Sequence, residues 1–229
     1  MAQFKGYPKA TFRYLKQLEK NNNRDWFGEH KSGYEQDVLE PSLDFIAAMQ
    51  SHVHNISDHF DAIPKRMGGS LMRVYRDTRF SKDKTPYKTN IGIQFRHQLG
   101  KDVHAPGFYL HLDTTSCYVG IGLWRPDSKA LQGIRASIVE QREEWHKIKR
   151  AKAFRDRFEL GGASLKRAPK GFDPEDPDVL DLRRKDYVVT ANLAPSVVTS
   201  DAFVKEVAAT FRASSRFMEY LCKAVQVPF

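Results

Sequence analysis

Apolar residues in the first fifty-odd positions return at helical intervals. After Pro8, which suits the first turn of a helix, Phe12, Leu15 and Leu18 share one face, and Asn21-Asn22-Asn23 stops the run. Trp26 and Phe27 begin a second short helix with Asp25 as its N-cap. From Tyr34 onward Val38, Leu39, Leu43, Phe45, Ile46, Met49 and Val53 keep helical spacing, and Pro41 either kinks the segment or opens a new helix. The period then changes to two. Leu71–Tyr75, Ile91–His97, Phe108–Asp113 and Cys117–Trp124 alternate as half-buried strands do.

The last two of these strands fit a hairpin around Thr114-Thr115. Its register sets Phe108 opposite Ile121, Leu110 opposite Val119 and Leu112 opposite Cys117, with Tyr109 beside Gly120 and His111 beside Tyr118. Thr-Thr is poor chemistry for a two-residue turn, so a loop one or two residues longer is the alternative. Beyond Pro126 the helical period returns through Leu131, Ile134, Ile138 and Trp145. Glu159–Asp186 is rich in Gly, Pro and Asp and reads as loop, with at most a short helix near Val179–Leu182. Tyr187–Ala191 reads as one more strand, and Asp201 caps a final helix carrying Phe203, Val207, Phe211, Phe217 and Leu221. The fold class expected is α+β: N-terminal helices, a central antiparallel sheet of about four to five strands, and C-terminal helices packed on it, residues 1–229 forming one domain.

Composition narrows this. A chain of 229 residues with 41% hydrophobic and 28% charged content is too apolar for disorder and long enough for one ample core. No apolar run approaches the roughly 18 residues a membrane span needs. Met1-Ala2-Gln3-Phe4-Lys5 lacks the apolar stretch of a secretory leader, so a cytoplasmic protein without a membrane partner is expected. Cys117 and Cys222 read as separate buried thiols of a reducing compartment.

The net charge of +9 is unevenly placed. Between Pro64 and Lys101 ten Lys and Arg residues face only Asp77 and Asp83. Weaker basic runs follow at Lys147–Arg157 and Arg183-Arg184-Lys185. The segment Arg73–Asn90 contains Pro86, which excludes a central strand, so it is a connection, and connections carry function more often than cores do. Guanidinium forks and ammonium groups suit phosphate or carboxylate, at about 1.5–3 kcal/mol per charge-assisted hydrogen bond. The anion-binding candidates are Arg73, Arg76, Arg79, Lys82, Lys84 and Lys88, with Arg125 nearby in sequence to the sheet. The alternative is a solvated loop whose two aspartates pair with neighbouring arginines, a surface arrangement contributing about 0–1 kcal/mol per pair.

The polar face of the expected sheet collects Gln94, Arg96, Tyr109, His111, Asp113, Tyr118, Gly120, Gly122 and Trp124. Two glycines there make room for a ligand or for close backbone approach. His111 and Asp113 share this face without having to touch, and are the catalytic candidates as general base and orienter. Tyr87, Tyr109 and Trp124 are the candidates for stacking on a ligand. The competing reading is a helix packed over the face, with the rings as core.

His52, His54, His97, His104 and His111 form no metal-ligand set, and no phosphate-binding glycine loop, dinucleotide fingerprint or nucleophile elbow is present. No metal and no cofactor is expected, magnesium entering only together with a phosphate ligand.

Phe12-x-x-Leu15 followed by Asn21-Asn22-x-Arg24-x-Trp26-Phe27, then Arg76-Asp77-x-Arg79-Phe80-Ser81-x-Asp83-Lys84-x-Pro86-Tyr87-Lys88, resembles the family named domain of unknown function 2461. The likeness continues through Gly120-x-Gly122-x-Trp124-x-Pro126, Pro169-Lys170-Gly171-Phe172 and Leu182-Arg183-x-Lys185-x-Tyr187, in order along nearly the whole chain. It implies one cytoplasmic domain, and no catalytic residue is carried over from it. The function expected from the residues is binding of a phosphate-bearing or other anionic small molecule at the basic loop, with or without catalysis. The alternatives are a nucleic-acid-binding domain using the same cations with aromatic stacking, and a non-catalytic domain docking on an acidic protein surface.

Overall fold

The structure is a computed structural model describing residues 4–100 and 106–229; Lys101 and His104 lie outside the described residues. Helix α1 (Lys9–Lys20) follows Pro8, which stands at the N-cap with extended backbone, and buries Thr11, Tyr14, Leu15 and Leu18. Helix α2 (Arg24–Glu29) is capped by Asn23, whose side chain accepts from the Trp26 N–H at 2.9 Å. Asp25 is therefore inside the first turn, favourable to the helix dipole, and is not the cap expected for it.

Helix α3 (Lys31–Tyr34) runs through a π-helical turn, Glu35–Leu39, into α4 (Glu40–His54). Pro41 sits in the first turn of α4. Its ring cannot donate and crowds the preceding turn, and the wider π-helical turn accommodates both defects without ending the helical path.

The sheet is antiparallel, with six strands in the order β1-β2-β3-β4-β6-β5. Its centre is β2 (Ile91–His97), β3 (Gly107–Leu112) and β4 (Cys117–Leu123), flanked by β1 (Phe60–Asp61) on one side and β6 (Tyr187–Asn192) with β5 (Glu159–Leu160) on the other. The β3–β4 register matches the expected one pair for pair. The connecting loop is Asp113–Ser116, longer than two residues. Asp113 supplies the turn chemistry that Thr114-Thr115 lacks: its Oδ1 accepts from the N–H groups of Thr115 and Ser116, each at 2.6 Å.

Three expectations are corrected. Leu71–Tyr75 is no strand; it touches the sheet at one bridge, Leu71 to Ile93, and forms a second bridge between Tyr75 and Tyr87. The edge of β2 is instead shared between β1 and residues 70–72, with Gln94 N–H donating to Ser70 O and Met72 N–H donating to Gly92 O. The two-residue strands β1 and β5 are too short for an alternation to be visible. Asp201 caps nothing: the final helical region begins at Phe203 after an uncapped Ala202 and breaks at Ser214 into α10 (Phe203–Ala213) and α11 (Ser215–Ala224), both labels following α5 (Ser128–Glu140), α6 (Arg142–Arg150), α7 (Lys152–Arg155), α8 (Val179–Leu182) and α9 (Pro195–Val198).

Ile91, Ile93, Phe95, Phe108, Leu110, Leu112, Val119 and Ile121 are buried on one face of the sheet, against α10, where Phe211 meets Phe95 and Phe108 at ring separations of 5.7 and 4.6 Å. The Gly- and Asp-rich stretch before β6 is held by charge. Asp181 accepts from Trp145 Nε1 (2.7 Å), Lys149 Nζ (2.5 Å) and Arg184 Nε (3.2 Å), while Asp178 receives Arg142 and His146. The basic runs around Lys149 and Arg184 thus serve this network.

Residues 74–76 and 86–88 form a short antiparallel pair, Arg76 N–H donating to Pro86 O and Lys88 N–H to Val74 O. It is pinned to the N-terminal helices at Tyr87. Asn22 Nδ2 donates to Tyr87 O (2.9 Å), Asn22 Oδ1 accepts from Tyr87 N–H (3.0 Å), and the Tyr87 ring stacks on Phe27 at 4.0 Å. Asn22→Ala removes both hydrogen bonds and is expected to cost about 2 kcal/mol in urea unfolding, with faster proteolysis between residues 77 and 85. An unchanged midpoint and digestion pattern would contradict the pinning role.

Candidate functional site

An open groove of about 680 Å3 runs between residues 68–77, Lys88 and the polar face of β2. Ser70, Met72, Arg73, Lys88, Gln94 and Arg96 contribute to its lining. Its rim at residues 63–70 is closed on itself: Ser70 Oγ accepts from Ile63 N–H at 2.9 Å, and Ser70 N–H donates to Ile63 O. Two carboxylates also line it. Asp61 accepts from Gln98 Nε2 at 3.2 Å, and Asp77 is gripped by Arg79. A smaller cavity of about 290 Å3, between α5 and the C-terminal residues, contains none of the candidate residues.

The basic loop divides into two groups. Arg79 forms a two-point pair with Asp77, Nε to Oδ1 at 3.0 Å and Nη2 to Oδ2 at 2.7 Å. Arg76 Nη1 pairs with Asp83 Oδ2 at 2.5 Å and also contacts the Thr85 hydroxyl. Lys84 Nζ donates to the Thr78 carbonyl at 2.9 Å, and Lys82 is exposed. These four belong to the loop tip, and its arginines hold Asp77 and Asp83 near pKa 2: hydrogen bonds from Arg79 act first on Asp77, and the Thr85 N–H, then Arg76, on Asp83. Arg73 and Lys88 are the second group. Both line the groove, and among the described residues neither side chain has an ion-pair or hydrogen-bond partner. Burial, and then the Arg73 charge, lower the Lys88 pKa.

The stacking candidates separate in the same way. Tyr87 is 5% exposed and belongs to the core. Trp124 is 56% exposed, with the Arg125 guanidinium over its ring at 4.8 Å; neither lines the groove, and Arg125 takes positive φ while its N–H donates to Asp186 Oδ1 at 2.7 Å. The structure therefore does not bring Arg76, Arg79, Lys84 and Trp124 into one concavity. Exposed rings stand nearer the basic segment at Tyr75, which lines the groove, and at Phe80 on the loop tip.

The glycines of the polar face serve packing: the Tyr109 ring lies over Gly120, 3.7 Å from where a Cβ would sit, and the Tyr187 backbone closes on Gly122, where a Cβ, at φ +127°, would overlap the Tyr187 carbonyl. Tyr109 reaches instead toward His111, its hydroxyl 3.0 Å from Nδ1, and His111 Nε2 lies 2.9 Å from Asp113 Oδ2. Tyr118 stacks on the imidazole at 4.8 Å. His111 and Asp113, expected only to share a face, are thus directly bonded, and Tyr109 joins them as a third member. The spacing Tyr109-x-His111-x-Asp113 carries this signal, since alternate residues of a strand are neighbours on one face. Burial tends to raise the Asp113 carboxyl, but hydrogen bonds from His111, Ser116 and Thr115 outweigh it and hold it well below the usual carboxylate range. Burial, then Tyr118 and Asp113, push the Tyr109 phenol up to about 12. Among the described residues no group of three or more His, Cys, Asp or Glu is placed to hold a metal ion, and no helix is long and apolar enough to cross a membrane.

The family model described as "Conserved hypothetical protein (DUF2461)" matches residues 10–220 of the 229. The chain belongs to the DUF2461 family. The match spans the N-terminal helices, the groove, the Tyr109–His111–Asp113 row and the Asp181 network, as the motifs around Asn22, Arg76 and Leu182 imply. No curated protein and no solved structure matches the chain.

Asp113 titrates at a lower pH when folded than the roughly 3.9 of an unfolded aspartate, so its stabilising contribution is complete above about pH 4 and is lost as pH falls through the folded value. Asp113→Asn is expected to destabilise the protein by about 1.5–3 kcal/mol at pH 7, with the difference from wild type shrinking below pH 4. Urea titrations at pH 7, 4 and 2.5 check this; a constant difference across that range would refute it.

Proposed function

We propose that the groove binds a phosphate-bearing or similarly anionic small molecule, with Arg73 and Lys88 as its cationic contacts and Gln94 and Arg96 as flanking donors. The observation that carries this is the pairing state of the cations. Where the loop tip ties Arg76 and Arg79 to Asp83 and Asp77, Arg73 and Lys88 line a common concavity and form no ion pair with the two carboxylates, Asp61 and Asp77, that also line it. Burial first, and the Arg73 charge second, lower the Lys88 pKa, and an anion bound beside both would oppose each effect. Arg76 Nη1 and Arg79 then keep the hairpin tip in shape, and Asn22 sets the hairpin's position.

A second reading, single-stranded nucleic acid, draws on Tyr75, which lines the groove with its ring 54% exposed, and on Phe80 at the loop tip, 95% exposed beside Arg79. Base stacking on such rings contributes about 1–3 kcal/mol each. Salt separates the two: neutralising three phosphates of a strand gives a log–log slope near −2, from about −0.7 per phosphate, whereas a small phosphate ligand gives a shallower one.

Calorimetric titration with inorganic pyrophosphate and with a twelve-residue oligothymidylate at 50 mM salt tests the reading. Pyrophosphate is expected to bind wild type, with Lys88→Met and Arg73→Gln each weakening it about tenfold or more and Arg79→Gln leaving it within twofold. Equal losses for Arg79→Gln and Lys88→Met would move the site to the loop tip. Absence of any pyrophosphate heat would overturn the small-anion reading.

A further inference from the structure

Tyr109, His111 and Asp113 project from alternate residues of β3 and its turn as one hydrogen-bonded row. A proton on Nε2, facing the Asp113 carboxylate, leaves Nδ1 free to accept from the Tyr109 hydroxyl at 3.0 Å, with the Asn90 amide nitrogen 3.5 Å away on the same atom. Asp113 is itself fixed by Thr115 and Ser116, so the base is held in one orientation. A hydroxyl with a base at bonding distance, the base oriented by a carboxylate, is the arrangement that makes a weakly acidic hydroxyl a nucleophile. The ring of Tyr118 stacked on His111 keeps water from one face of the imidazole.

The row adjoins the groove. Met72 lines the groove, and its sulfur and the Tyr109 oxygen lie 3.0 and 3.1 Å from where a Cβ on Gly92 would be. Any larger residue at 92 would displace one of them. Register places Gln94, another lining residue, directly opposite Tyr109.

We propose that Tyr109 is a nucleophile toward a phosphate ester, His111 its general base and Asp113 the residue that positions His111. This rests on the reading of the groove as the anion site, with Arg73 and Lys88 holding the phosphate. In the first step the Tyr109 Oη–phosphorus bond forms and the ester P–O bond breaks in line with it; the Tyr109 proton passes to His111 Nδ1 and is released to water, and the alkoxide leaving from the opposite side takes a proton from water. In the second, water gives a proton to His111 and attacks phosphorus, the Tyr109 oxygen leaves and recovers that proton, and inorganic phosphate is released.

The test uses the full chain and benzenesulfonyl fluoride, which a nucleophilic tyrosine attacks through oxygen with loss of fluoride. Peptide mass spectrometry is expected to find Tyr109 labelled ahead of the more exposed Tyr75, and Tyr109→Phe to lack that label. His111→Asn is expected to slow labelling about 100-fold, the lower end of general-base contributions. In wild type, where no variant has to fold, labelling should already proceed at neutral pH. Labelling that climbs only as the Tyr109 phenol itself ionises, toward pH 12, or that His111→Asn leaves intact in a folded protein, overturns the proposal. Pyrophosphate at a concentration that titration shows to be saturating should slow the label; if it does not, the row and the groove are separate. A His111-dependent label in a protein that binds no pyrophosphate overturns the groove reading, and with it the phosphate-ester substrate.

Discussion

Side-chain alternation across the paired strands β2, β3 and β4 governs both the core and the candidate site. In the pairing Gly92–His111–Tyr118, one face holds Ile93, Leu110 and Val119 in the apolar interior, and the other holds Gln94, Tyr109 and His111. A slip of one residue would exchange the faces, burying an imidazole and a carboxylate and exposing three branched chains. Burial of the apolar set at about 25 cal/mol per Å2 makes that exchange prohibitive. The same force that builds the core therefore fixes which residues face the groove.

The charges around the groove follow a different rule. Asp77 and Asp83 each find an arginine within a few residues, because loop geometry brings neighbours together at little entropic cost. Arg73 lies before this self-neutralising tip and Lys88 after it, on the strands of the short hairpin, where side-chain direction is set by the pairing of residues 74–76 with 86–88. Neither is paired with Asp77 or Asp83, although the Arg73 charge still reaches Asp77, and the two are near enough for Arg73 to lower the Lys88 pKa. The excess positive charge of the segment is thereby concentrated on the groove side.

Elsewhere charge serves architecture. The acidic stretch before β6 has few apolar residues to bury, and Asp178 and Asp181 fasten it to α6 through Arg142, His146, Trp145 and Lys149. On Asp181 burial raises the carboxyl, and hydrogen bonds from Lys149, Trp145 and Arg184 outweigh it and lower its pKa. Density of lysine and arginine in the chain is thus no guide by itself; what matters is whether an acid from another element reaches them.

Much of this was legible in the amino-acid order. Period-two alternation located β2, β3, β4 and β6, the hairpin register followed from matching apolar faces, and Gly- and Asp-rich composition marked the long loop with its helix at Val179–Leu182. Strands of two residues left no such trace, Asp201 resembled a cap without acting as one, and Leu71–Tyr75 alternated without pairing beyond single bridges. Local pattern determines which side of an element is apolar, since burial acts residue by residue. Which cations keep a carboxylate, that Tyr87 is core while Tyr75 is exposed, and that Tyr109 bonds to His111 instead of stacking on a ligand all depend on distances between segments far apart in the chain. Only the folded arrangement sets those distances, because electrostatic and hydrogen-bonding terms fall off within a few ångströms and no one-dimensional spacing encodes them.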